Sequence, residues 1–283
     1  MSDCNFDSLI INGKADSKTD SKAIFESYLE SQAQLEQLPK KLKQDKNLVQ
    51  LNLFKEVHFQ KSNNLLFRKS DSSKDALVNF WLSKVKNLAY LYCDFNKLPN
   101  FTGLSKADLK SIARGNADPS YIRNLEKDLS EKGIILIVEP SVAGLKLDGA
   151  VFKLDSGNPV IAISLRHNRL DNFWFTLMHE LSHIALHYDQ LDSYIIDDLD
   201  SKSEELTELE ADKLALDSLI PRNIWRTCAA RRDLKAESVI RFAEKNNVHP
   251  AIVAGRIQHE INDYRKLSSL TNGIDTREIL FSE

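Results

Sequence analysis

Cysteine is scarce in this 283-residue chain: Cys4, Cys93 and Cys228 are three in number and far apart. An odd, dispersed set does not make a disulfide framework, which points to a reducing compartment, the cytoplasm. The first residues, MSDCNFDSLIINGKADSKTD, lack the apolar run of a signal peptide. No other segment approaches the length of a membrane span, so no membrane partner is expected. An excess of one charge is also missing: 38 Lys and Arg face 41 Asp and Glu, a formal net charge of −3. That balance argues against wholesale nucleic-acid binding. Internal repeats are absent. What is present is length, with 42% hydrophobic residues, enough for a proper core and one or two domains.

Hydrophobic periodicity divides the chain into three regions. Residues 1–75 form a partly flexible N-terminal region with a helix at about Ser21–Gln37. Its stretch from Lys40 to Lys69 is basic and contains Phe54, His58, Phe59 and Phe67. A lysine-rich solvated face over a small core accounts for this pattern; recognition of a partner or a nucleic-acid signal is the other reading. Residues 76–130 form a helical segment: a helix over Ala76–Phe95, then two short helices over Leu104–Gly115 and Pro119–Gly133. Ser105 and Asp118 are the expected caps of the short pair. Arg114, Arg123, Lys127 and Lys132 are a thin supply for a DNA-binding helix-turn-helix, being set against Glu126, Asp128 and Glu131. Residues 131–283 hold a buried strand at Ile134–Pro140 and a hairpin of GAVFKL and PVIAISL around Asp155–Asn158. Helices at Leu234–Asn246 and His249–Asp263 come later. The expected fold class is α+β, a small β-sheet packed on several helices, with a mainly helical N-terminal region.

The chemistry centres on His179-Glu180-Leu181-Ser182-His183 within FWFTLMHELSHIALH. Wound as a helix, two histidines four residues apart lie about 40° apart in projection, so both rings reach one ion. Phe173, Trp174, Leu177, Leu181, Ile184 and Tyr188 fall on one arc, the core face. His179, His183 and Glu180 fall on the other, with Thr176 and His187. Glu180 points into the same space as the two imidazoles and can act as a base. A buried helix with hydrogen-bonded histidines is the competing structural reading.

A catalytic zinc needs a third protein ligand and one open position. The next predicted helix, SEELTELEADKLALDSLIP, opens with Ser203 as a plausible cap and stops at Pro221. Glu208 and Asp212 are four apart on one face; Glu210 lies roughly opposite. Glu208 suits a ligand, with Glu205 as its rival. Asp212 suits a carboxylate that orients a zinc histidine through the ring's other nitrogen. Acidic residues also favour a helix start without binding anything.

HELSHIALH followed by ELEADKLALDSLIP resembles the ImmA/IrrE family of metallopeptidases. The resemblance runs upstream through LDGAVFKLDSGNPVIAISLRHNRLDNFWFTLMHE and downstream through VHPAIVAGRIQHEINDYRKL, roughly residues 130–270. It implies a zincin-like core, one zinc per chain held by His179, His183 and Glu208, and Glu180 as general base. Ser182 stands where the family often has glycine, and Asp212 where it often has asparagine. The resemblance also implies a regulator that cleaves a helix-turn-helix repressor, inducing phage, mobile-element, defence or stress genes. No helix-turn-helix is evident in residues 1–75, which favours a separate repressor as substrate. The alternative is a zinc-bound regulatory module or antitoxin-like DNA-binding protein with little protease activity.

Four further expectations follow. The strand before the zinc helix, Val160–Leu165, is expected to offer an exposed edge to the substrate backbone. An oxyanion donor is sought among Tyr188, Tyr194, His249, Arg256 and His259, with His249 foremost. Cys93, at the end of a predicted helix, is a candidate regulatory thiol that would take the open zinc position. His187 lies about 6 Å along the helix from His183, too far to share the ion, and reads as structural.

Overall fold

The computed structural model describes residues 21–62, 72–191, 195–197 and 206–282. The described residues begin with three helices, α1 (Ser21–Gln37), α2 (Lys46–Ser62) and α3 (Ser72–Phe95). They meet around Leu35, Leu38, Leu53 and Ala76. Beside this small apolar centre runs a buried polar relay. Asn79 Nδ2 donates to Gln34 Oε1 at 3.0 Å, and Gln60 Nε2 donates to Asn79 Oδ1 at 2.8 Å and to Glu56 Oε1 at 2.9 Å. Buried amides that satisfy one another in this way avoid the cost of unpaired polar groups. Lys40, Lys41, Lys46, Lys55 and Lys61 are exposed on the outside of this bundle.

Two short helices follow, α4 (Lys106–Ala113) and α5 (Leu125–Ser130). Ser105 opens α4 with a reciprocal capping box: its hydroxyl accepts from Asp108 N, and Asp108 Oδ2 accepts from Ser105 N. Asp118 caps the 3-10 turn that leads to α5, accepting from Ser120 N at 2.9 Å, with Pro119 at the first helical position. Leu109, Ile112, Ile122, Leu125 and Leu129 all enter the main core, so both helices spend their apolar sides inside the protein.

One sheet contains β1 (Ile135–Val138), β2 (Gly149–Lys153), β3 (Pro159–Ile163) and β4 (Ile195–Asp197), in the order β1-β3-β2-β4. β2 and β3 form the expected antiparallel hairpin, with Gly157 at φ +85° in its turn. β3 is parallel to β1, and β4 is antiparallel to β2. Side chains alternate across the sheet. Ile135, Ile137, Ala150, Phe152, Val160 and Ala162 face α3, against Trp81, Leu82, Val85 and Ala89. Leu136, Val151, Ile161 and Ile163 face the opposite layer, led by α6 (Leu170–His187). The period of two therefore serves two cores, one on each face. The observed class is α+β, as expected.

The order corrects one expectation. β3, the Val160–Leu165 segment, is an interior strand, hydrogen-bonded to β1 on one side and β2 on the other. Its backbone groups are used within the sheet, and among the described residues the strands at the edges are β1 and β4.

After α6 and β4 comes α7 (Leu206–Leu219), which packs along α6 and ends two residues before Pro221. The expected cap Ser203 and rival ligand Glu205 lie outside the described residues. Single turns α8 (Arg222–Trp225) and α9 (Ala230–Asp233) lead to α10 (Ala236–Asn246) and α11 (Pro250–Ile261). Turns α12 (Ser268–Thr271) and α13 (Thr276–Phe281) close the chain. Among the described residues no helix is long and apolar enough to cross a membrane.

Candidate metal centre

α6 starts where Arg169 is extended, and its first turn carries Asp171. Burial raises the Asp171 pKa against the opposing pull of Arg169, whose Nε lies 2.9 Å from Asp171 Oδ1. The same guanidinium donates to Gln258 Oε1 at 2.6 Å, tying this end of α6 to α11. Phe173, Trp174, Leu177, Leu181 and Ile184 enter the core on the expected arc. The other arc is not solvated. His179 is 3% exposed, and Glu180 and His183 are fully buried. The physical reason is tertiary: α7 lies over that side of the helix, and β2 closes the space beside Glu180.

Three ligand-type atoms converge between α6 and α7. His179 Nε2 and His183 Nε2 are 2.8 Å apart, and Glu208 Oε2 lies 3.3 Å from the first and 3.4 Å from the second. A tetrahedral ion with ligand bonds of ~2.0–2.1 Å has a ligand–ligand edge of ~3.3 Å. Two separations match that edge, and the third is about half an ångström shorter. Two imidazoles and a carboxylate, with one tetrahedral position left over, form a donor set that suits zinc. Among the described residues this trio is a group of His and acidic side chains able to hold a metal ion.

The electrostatics agree with ionised Glu208. Its burial raises its pKa, but hydrogen bonds and charge from His179 and His183 outweigh that and hold the carboxyl well below the usual range. One turn along α7, Asp212 Oδ1 lies 2.8 Å from His179 Nδ1. A carboxylate accepts, so Nδ1 carries the proton and the Nε2 lone pair is left for the centre.

Glu180 occupies the space between α6 and β2. Its carboxyl sits against Gly149 at the start of β2, so closely that a Cβ there would overlap Oε1 and lie 3.1 Å from Cδ. Gly149 escaped the sequence reading. Its signal was a glycine in the first position of a strand pattern, which marks close approach of another group to the backbone. His187 is also buried on the α7 side, with Nε2 3.2 Å from the Thr207 carbonyl and 3.8 Å from Glu210 Oε2. Glu210 thus lies by His187 and not in the converging trio.

The other candidates lie elsewhere. Cys93 packs against the α3 layer, across the sheet from α6. Burial, then Asp94, raises its thiol pKa, the opposite of what a thiolate ligand needs. Residue 93 is within α3, and α3 is committed to the far face of the sheet. His249 caps α11: its Nδ1 accepts from Ala251 N at 3.1 Å, while its own N–H donates to Asn116 Oδ1 at 3.0 Å. Burial lowers its pKa. These bonds give it a structural task at the start of α11. Arg256 donates to the carbonyls of Leu216 and Ile220 at the end of α7, and its guanidinium lies over Trp225. Tyr188 donates to Gly157 O at 2.6 Å, fastening the hairpin turn to the end of α6. His259 is exposed, and Tyr194 lies outside the described residues.

Residues 131–258 match the family model of the IrrE N-terminal-like domain, Peptidase M78. The match includes every residue of the trio, Glu180 and Asp212. No curated protein matches the chain.

Proposed function

Residues 131–258 belong to the ImmA/IrrE family of peptidases, and from that premise we propose that this protein is a cytoplasmic zinc endopeptidase that cleaves a helix-turn-helix repressor. The observation that carries the reading is the convergence of His179 Nε2, His183 Nε2 and Glu208 Oε2 beside a buried glutamate. Zinc bound by this trio supplies a Lewis acid for the scissile carbonyl and lowers the pKa of water toward 7. Asp212 holds His179 in the tautomer that binds. Glu180 takes the proton from the attacking water and returns it to the leaving amine. The outer edge of β4 is the place where an extended substrate segment adds as a further strand, since β4 pairs with β2 at Gly149, the residue against Glu180. Such a mode suits the linker between the two parts of a repressor, whose loss induces the genes it silences. Residues 1–75 would recognise the partner or a nucleic-acid signal, and residues 131–283 would form the peptidase domain.

The purified protein should contain one zinc per chain. His179→Ala, His183→Ala and Glu208→Gln should each empty the site, while Glu210→Gln should leave it nearly full. Incubation with a cognate helix-turn-helix repressor should give one or two discrete fragments, blocked by chelator and by Glu180→Gln with its zinc retained. Tight repressor binding with no cleavage would instead indicate a zinc-bound regulatory module. Breakdown of casein-like substrates would indicate a general protease.

A further inference from the structure

His179, His183 and His187 stand four residues apart and form a row along α6 facing α7. The first two meet Glu208, and Asp212 holds the first. The third lies beside His183, with ring centroids 5.6 Å apart, and its Nε2 meets the Thr207 carbonyl. A carbonyl oxygen only accepts, so Nε2 of His187 carries its proton and donates. The carbonyl it grips belongs to the peptide that joins Thr207 to Glu208. That bond therefore sets the peptide plane immediately before the proposed ligand.

Among the described residues, the first turn of α7 is held on α6 by polar contacts, those of Glu208 with His179 and His183 and that of Thr207 with His187, and not by apolar burial. Leu206 is 71% exposed and Leu209 51% exposed, and Ala211 is the first buried residue of the helix. Apolar burial anchors α7 only from its second turn onward. His187, by contrast, is 7% exposed and rooted in the last turn of α6. We infer that His187 is a positioning residue, a latch that fixes the first turn of α7 on α6 and presets Glu208 for the metal. Glu210 lies 3.8 Å from the same Nε2, on the solvent side. This inference rests on the metal site proposed above.

The test compares His187→Leu, which fills the space but donates nothing, with His187→Gln, whose amide can still donate to Thr207. Zinc affinity is measured by competition with a chromophoric chelator, and the Co2+-loaded forms are compared by their visible d–d spectra. Loss of a group that orients a ligand typically weakens metal binding 10–100-fold. His187→Leu should fall in that range with an altered Co2+ spectrum, while His187→Gln should return to within about threefold of the native protein. If the leucine variant fails to fold, His187→Phe, which restores a ring without a donor, takes its place. Native zinc affinity and spectrum in a folded donor-less variant would overturn the latch alone, as would a glutamine variant no better than the donor-less one. A native protein that binds no zinc would overturn the metal site and the latch together.

Discussion

Gly149→Ala adds one methyl group at the point where β2 meets the proposed base. The position has no positive φ to make alanine strained, so the effect is steric and local. The new Cβ would lie 2.7 Å from Thr176 Cγ2 and 3.1 Å from Glu180 Cδ, with Oε1 closer still. Carbon atoms in good contact sit about 3.5–4.0 Å apart, so the neighbours must retreat by roughly an ångström. Thr176 is β-branched and buried on α6, which leaves the Glu180 carboxyl as the group that moves. Overpacking of this kind costs about 1–3 kcal/mol of stability. Misplacing a reacting group by ~1 Å can cost on the order of 100-fold in rate. The expected variant is folded, keeps its zinc, and cleaves the repressor about 100-fold more slowly than the native protein. Because alanine acts through Glu180, Gly149→Ala combined with Glu180→Gln should be no slower than Glu180→Gln alone. The measurements are zinc content, thermal unfolding and the cleavage rate of all three variants. A folded alanine variant with native activity, or additive losses in the double variant, would refute the reasoning.

Two further predictions concern residues away from the trio. Cys93→Ser should leave cleavage unchanged under reducing and oxidising conditions alike, because the thiol lies across the sheet from α6; an increase in basal activity on substitution would contradict this placement. The hydrogen bond to Asp128, then burial and the carboxylate charge, push the Tyr121 phenol up to about 12. The folded state thus favours the protonated phenol, so its contribution to stability is complete below the unfolded value of about 10 and is lost as pH rises through about 12. Tyr121→Phe should cost ~1 kcal/mol at neutral pH and flatten the loss of stability between those values, read by denaturant melts at several pH values; an unchanged alkaline slope would show that the phenol is not its source.

Periodicity within single segments was enough to pair the residues of the candidate site. A four-residue spacing sets two side chains on one side of a helix wherever that helix ends up, so His179 with His183, and Glu208 with Asp212, could be paired from the chain alone. The hairpin of β2 and β3 was legible for the same reason: its strands are close in sequence and its turn contains a glycine. Ser105 and Asp118 announced the short helices because a cap is a contact between near neighbours.

The tertiary structure decided what lies between distant segments. The order β1-β3-β2-β4 made β3 interior and left β4 at the edge beside Gly149, and nothing in the alternation of Val160–Leu165 distinguishes an interior strand from an edge one. The docking of α7 on α6 joined His179 to Asp212 across 33 residues and buried the histidine arc that looked polar. α3 carried Cys93 to the far layer, and the close approach of β2 to α6 made Gly149 a neighbour of Glu180. A periodic pattern specifies a face but not its partner; the partner is chosen by how helices and sheet fill the shared core, and that choice set the geometry of the candidate metal centre.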